Sequence, residues 1–328
     1  MMERATLPTQ SAHLRAAILI TLFGSASGCA SADALTVAFS REPGKVNITI
    51  AGRDVATYVY EDAMIPRPYF AHVRAPNGTQ VTRNHPPIEG KDLTDHATYH
   101  PGVWMAFGDI SGADFWRNRA RVEHEAFVTE PTGGNGTGSF AVRNRYINSE
   151  NGKTVCREIG RYTWIVRPSD TLLIWESTFS SDEGDFVFGD QEEMGLGVRV
   201  ATPLTVKHGG EMFNSEGRRN EMQVWGRQAA WCDYRGVIDG QRVGVLLMPD
   251  PSNFRRSWYH ARDNGLLLAN PFGRNAFTKG EKSRVVVKKG ATLRLRFGVL
   301  LHAEEAKGSF DPASAYQSFV KRVTAKDE

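Results

Sequence analysis

Hydrophobic and polar residues alternate along most of the chain after Leu35. A two-residue period marks strands with one face on a core and the other in water. RVEHEAFVTE, GSFAVRNRYI, TVCREIGRYTWIVR, TLLIWESTFSS, DFVFGD and GLGVRVATPL either show it or are short β-branched runs bounded by turn residues. Hairpins are predicted over 45–62 around Gly52, over 69–83 with Asn77-Gly78 as the turn, at Asp239-Gly240 and near Gly290, Asn-Gly and Asp-Gly being the strongest short hairpin dipeptides. One helix is predicted: Asp311 caps PASAYQSFVKRV, about residues 312–325, with Pro312 in its first turn.

So many strands joined by short turns imply antiparallel sheets. An immunoglobulin-sized sandwich uses about 7 to 9 strands in roughly 100 residues, and this chain offers about twice that number. No Pro/Ser-rich linker divides it. The expectation is an all-β fold: one large two-sheet antiparallel β-sandwich domain over 35–328 with a short C-terminal helix. No repeat of fixed period points to a propeller. The glycine-rich EPTGGNGTGS (Glu130–Ser139) is expected as a hairpin tip, because it lacks the Lys-Ser/Thr of a phosphate loop.

Residues 1–34 follow a different pattern. Arg4 and Arg15 precede the apolar run AAILITLFG, and small residues follow up to Ala34, the outline of a secretory signal peptide. The run is shorter than the about 20 residues of a membrane span. ASGC at 26–29 resembles a lipobox with Cys29 as the lipidated residue, and ADA at 32–34 fits an ordinary cleavage site. Both leave the chain exported, periplasmic or lipid-anchored in a bacterial outer membrane, with a membrane tether through Cys29 in the first case.

Cys156 and Cys232 then remain, in strand-like segments. They read as small buried hydrophobes, although an oxidising compartment would let them pair; neither has zinc-like spacing. Forty basic residues against thirty-seven acidic ones, interspersed, leave +3. Nucleic acid is therefore not an expected partner.

TDHATYHPGVWMAFGDISGADFW (Thr94–Trp116) concentrates histidines, acids and tryptophans without an evident core run. His96 and His100, four apart, would share a helix face, but Ala97 replaces the Glu of a zinc-protease helix and Pro101 disfavours helix at His100. In a straight strand they would lie about 13 Å apart. A folded loop is left, with Asp95, His96 and His100 available for acid–base work or substrate contact, and no metal is expected. Asp109, Asp114, Trp104 and Trp116 complete the segment, the tryptophans as a stacking face for a sugar or as core.

Further stretches mix acids, bases and aromatics. FGDQEEMGLGVRV offers Glu192 and Glu193 before Arg199; neighbouring strand residues face opposite ways, so one of the two acids serves a given site, and Glu193 is the one favoured. WGRQAAWCDYRG contributes Trp225 and Arg227. PSNFRRSWYHARDNGLLLANPFG, with little alternation, contributes Trp258, His260, Arg262 and Asn270. Surface ion pairing and core packing are the alternative roles for these residues.

Four of these motifs, RPYFAHVRAPNGTQVTR, DHATYHPGVWMAFGDISGADFW, FGDQEEMGLGVRV and YHARDNGLLLANPFG, resemble in this order the secreted bacterial proteins labelled PmoA-like, a domain family of unknown function. The resemblance covers roughly Arg67–His302. It implies a place among secreted sugar-catabolism components and a layout similar to galactose mutarotase-like supersandwiches, which move protons on sugars with a His and a carboxylate. A particulate methane oxygenase subunit spans the membrane, and no stretch here is long enough.

The expected function is an exported carbohydrate-active protein whose partner is a saccharide or glycoside. His100 or His260 would act as acid or base, with Glu193 as complementary carboxylate. Arg199, Arg227 or Arg262 would hold substrate, with His96, Asp109, Asp114 and Asn270 as further contacts and Trp104, Trp116, Trp225 or Trp258 as a platform. No cofactor is expected. The alternatives are a noncatalytic carbohydrate-binding or scaffold protein and, third, a metal-dependent oxygenase.

Overall fold

The alternating segments build two eight-stranded antiparallel sheets. A computed structural model describes residues 35–304 and 310–327; the expected signal peptide and Cys29 lie outside the described residues. From edge to edge, the first sheet contains β1 (Val37–Glu42), β2 (Lys45–Ile50), β3 (Arg53–Val59), β4 (Tyr69–Ala71), β5 (Val103–Phe107), β11 (Met194–Arg199), β16 (Leu266–Asn270) and β15 (Trp258–Arg262). The second contains β12 (Glu211–Asn214), β13 (Cys232–Ile238), β14 (Gln241–Pro249), β18 (Thr292–Ala303), β9 (Asp170–Ser180), β8 (Thr154–Val166), β7 (Thr137–Ile147) and β6 (Arg121–Gly133). A small ribbon pairs β10 (Phe186–Phe188) with β17 (Val285–Val287). Among the described residues three α-helices complete the fold: α1 (Asn220–Val224), α2 (Arg274–Thr278) and α3 (Pro312–Asp327).

Strand alternation separates two faces on each sheet. The inner faces meet in one core, where Met105, Leu196, Val198 and Leu267 pack in the same cluster as Tyr162, Trp164, Trp175 and Phe297. Cys156 and Cys232 are buried there as free thiols. The outer face of the second sheet is covered by α3, whose Phe319 and Val323 pack with Ile174, Met248 and Leu300. Gly298 admits the Phe319 ring, since a Cβ there would come within 3.0 Å of it. Asp311 opens α3 as expected, its Oδ1 accepting from Ala313 N at 2.9 Å and its Oδ2 from the Ser314 hydroxyl at 2.6 Å.

Three segments differ from their sequence reading. Val103–Phe107 is a strand buried at all five positions, inside the stretch without an evident core run. The segment around His260, expected to have little strand character, is the β15–β16 hairpin. Both are covered on two faces, which removes the polar half of the alternation. The hairpin expected over 69–83 shrinks to three sheet residues plus isolated bridges, Arg74 to Gln80 and Thr82 to Val200.

Candidate functional site

The outer face of the first sheet gathers several of the candidate residues. Trp104 on β5 lies opposite Gly197 on β11, which lies opposite Leu268 on β16, which lies opposite His260 on β15. The next row runs from Arg199 through Leu266 to Arg262. Gly197 leaves room for the indole: a Cβ there would meet the Trp104 ring at 2.8 Å. Tyr259 and Ala261 enter the core cluster, so alternation puts His260 and Arg262 on this outer face.

At one end of these rows the loop before β5 folds into a single turn, the amides of Tyr99 and His100 both donating to the His96 carbonyl at 3.0 Å. His96 itself takes a left-handed φ of +51°, uncommon for a residue with a side chain. The turn stacks rings. His96 lies 4.9 Å from His100 at 16°, and His100 lies 5.0 Å from Trp104 at 14°. The Trp104 end is sealed, whereas the His96 side chain is 53% exposed.

Asp95 fixes the stack. Arg199 donates to both of its oxygens, at 2.6 and 3.0 Å, and Asn264 Nδ2 adds a bond at 3.1 Å. Buried Arg83 holds the same loop through the carbonyls of Leu93 and Asp95, each at 2.7 Å. Burial pushes the Asp95 carboxyl up, but the hydrogen bonds from Arg199 and His96 outweigh it and bring it down to about 2. Ionised Asp95 lies 3.0 Å from His96 Nδ1 and can only accept there, so Nδ1 bears the proton and Nε2 is left for an outside partner. Arg199 Nη1 lies 3.3 Å from His100 Nδ1; a guanidinium only donates, so the His100 proton sits on Nε2. Burial first, and Arg199 second, hold His100 well below the usual imidazole range.

At the other end, Glu192 Oε2 lies 3.9 Å from both His260 Nε2 and Arg262 Nη2. Asn270 Nδ2 holds the Glu192 loop by donating to the carbonyls of Gln191 and Glu192 at 2.8 and 2.9 Å, while its Oδ1 accepts from Phe272 N and Gly273 N. Arg262 also bonds Glu221 at 2.8 Å. Glu221 and Asp263 are clamped reciprocally, each side chain accepting from the other's amide at 2.9 Å. Burial, with the Arg262 charge second, pushes the His260 imidazole down to about 4. His260 is thus neutral at pH 7.

The site unites Asp95, His96, His100 and Arg199 at one end with His260, Arg262 and Glu192 at the other. Glu193 is taken up by Arg117 instead, beside Asp114; the acid beside His260 is its neighbour, Glu192. Asp114 also accepts from the amides of Trp116 and Arg117, and Asp109 from Gly112 N, so both shape turns. Trp104 and Trp116 are 0% and 1% exposed and offer a ligand no open face. Trp258 is buried beside Phe277. Trp225 is partly open, with the Arg262 guanidinium 5.8 Å from its ring. Arg227 is exposed and serves through its carbonyl, which accepts from Tyr259 N at 3.1 Å. Arg83, Glu221 and Asn264 escaped the sequence reading, each being ordinary in type and spacing. Among the described residues, no group of three or more His, Cys, Asp or Glu could hold a metal ion, and no helix is long and apolar enough to cross a membrane.

The chain is similar to an alpha-galactosidase from Lactobacillus brevis (8% identity, TM-score 0.42), covering 82% of this chain but only 39% of that one. A galactose mutarotase related enzyme from Lactobacillus acidophilus matches at 9% identity and TM-score 0.36, over 84% of this chain and 99% of its own. A galactose mutarotase-like protein from Clostridium acetobutylicum matches at 8% and 0.33, over 81% and 94%. No curated protein matches at a significant level. A family model does: one described as a family of unknown function matches residues 45–312, a span that includes every side chain of this site.

Proposed function

The chain belongs to that family, DUF6807, and from that premise we propose that it is an exported carbohydrate-active enzyme, using imidazole–carboxylate acid–base chemistry on a sugar or glycoside. One observation carries the reading: Glu192 stands 3.9 Å from His260 Nε2 and from Arg262, on the sheet face that also holds the Asp95–His96 pair. In this reading neutral His260 takes a proton from the substrate, and Glu192 stabilises the imidazolium that results. His96 Nε2, oriented by Asp95, contacts the substrate from the other end.

A saccharide suits the surroundings. Each hydroxyl both donates and accepts, and acceptors (Glu192, Glu221, Asp95) alternate here with donors (Arg262, Asn264). Trp225, partly open, supplies an apolar surface for a sugar ring. Export, with or without lipid on Cys29, and kinship with PmoA-like secreted proteins rest on the sequence motifs. A noncatalytic carbohydrate-binding protein is the second reading, favoured by the same alternation of donors and acceptors.

Incubation with a broad glycan panel, monitored by NMR for both binding and product, tests the proposal. Turnover that His260→Ala abolishes while saccharide affinity survives supports the enzyme. Binding without turnover by the wild type supports the binding protein, and neither binding nor turnover removes both.

A further inference from the structure

A cleft lies on the opposite side of the molecule from His96 and His260. It has a volume of about 640 Å³ and opens between the C-terminal half of α3 and the outer face of the second sheet. Ile165, Ile174 and Val323 give it an apolar floor, and the Glu176–Arg296 pair, 2.7 Å apart, closes part of its wall. Arg161, Lys321 and Arg322 stand at the rim, all exposed, and no ion pair reaches any of them among the described residues.

We propose that this cleft binds a small amphiphilic anion, an apolar body carrying one acidic head group. The volume lies within the about 300–1,000 Å³ of small-molecule sites. Charge fixes the sign of the head group: four cationic side chains line the cleft (Arg161, Arg296, Lys321, Arg322) against one carboxylate (Glu176). The carbonyl end of α3 opposes this with about half a negative charge, well short of that surplus. Arg296 is already taken by Glu176, by Asp250 at 3.3 Å and by the Val323 carbonyl at 3.0 Å. The ligand head group is therefore met by the three rim cations, and its body by the isoleucine and valine side chains.

Calorimetry on the purified protein, with dodecanoate kept below its micelle concentration, tests this. Dodecanoate should bind at one saturable site, at least about tenfold more tightly than dodecyltrimethylammonium, which shares the body and reverses the head. The double variant Lys321→Glu/Arg322→Glu should weaken dodecanoate binding about tenfold, whereas Lys153→Glu, at an exposed turn elsewhere, should not. Thr163→Trp, which fills the cleft from a partly exposed strand position, should abolish binding. Equal affinity for the two head groups, or binding unchanged by both cleft variants, would overturn the proposal. So would association only with phosphatidylglycerol vesicles that survives Thr163→Trp, which would indicate a membrane surface in place of a cleft.

Discussion

Arg199 grips Asp95 with both terminal nitrogens, at 2.6 and 3.0 Å, from a side chain only 1% exposed, while Asp95 itself reaches the surface. The pair ties a buried strand to the loop that presents His96. Arg199→Met removes the buried half and leaves Asp95 some access to water. The loss in unfolding free energy should be about 3 kcal/mol, the lower end for breaking a buried pair. Urea denaturation measures it, and NMR of the His96 ring should show the loop released.

Stability should fall on acidification in two windows. The folded-state value of His260, about 4, lies below its ordinary 6.5, so between these values the unfolded chain binds the extra proton. Stability is complete above about pH 6.5 and declines toward pH 4. Asp95, lowered from 3.8 to about 2, adds a second decline between those values, where the unfolded chain takes up a proton that the native carboxylate still refuses. His260→Gln should flatten the upper window by one proton, read from the slope of unfolding free energy against pH.

Neighbouring acids should separate cleanly in kinetics. With an active glycan in hand, Glu192→Gln should lower kcat by about 100- to 10,000-fold, the usual worth of a group assisting proton transfer. Glu193→Gln breaks only the partly exposed pair with Arg117. It should cost at most about 1 kcal/mol of stability and leave the rate nearly intact.

Gly197→Ala places a methyl 2.8 Å from the Trp104 ring on a fully buried strand. Overpacking of this kind costs about 1–3 kcal/mol. The displaced indole should change the near-UV circular dichroism, because Trp104 is stacked on His100.

Both Cys156 and Cys232 are free and sealed from solvent, and burial pushes each thiol well above its usual range. Neither should react with Ellman's reagent over minutes in the native protein. Both should react in denaturant.

In the second sheet β7 and β8 were legible because each keeps one largely wet face: β7 alternates exposed Arg143 with buried Val142 and Asn144. In the first sheet β5 and β16 were not, since burial on both faces erases the polar half of the pattern. The acids were limited differently: Glu192 and Glu193 lie in a bend before β11, outside the strand alternation expected of them, and which one meets His260 depends on Asn270 gripping that loop from a different strand. The tryptophans illustrate the same limit. Trp104 and Trp225 are equally suited to stacking by type, and only the covering loops decide that one is interior and the other open.

Because α3 lies on the far side of the sandwich from His96 and His260, the C-terminal end can serve as a handle. Protein immobilised through that end would point the face bearing His96 and His260 into the bulk liquid, and cargo fused there would cast no shadow over it. Truncating α3, by contrast, would strip Phe319 and Val323 from the opposite sheet and leave a bare aliphatic surface that invites clumping.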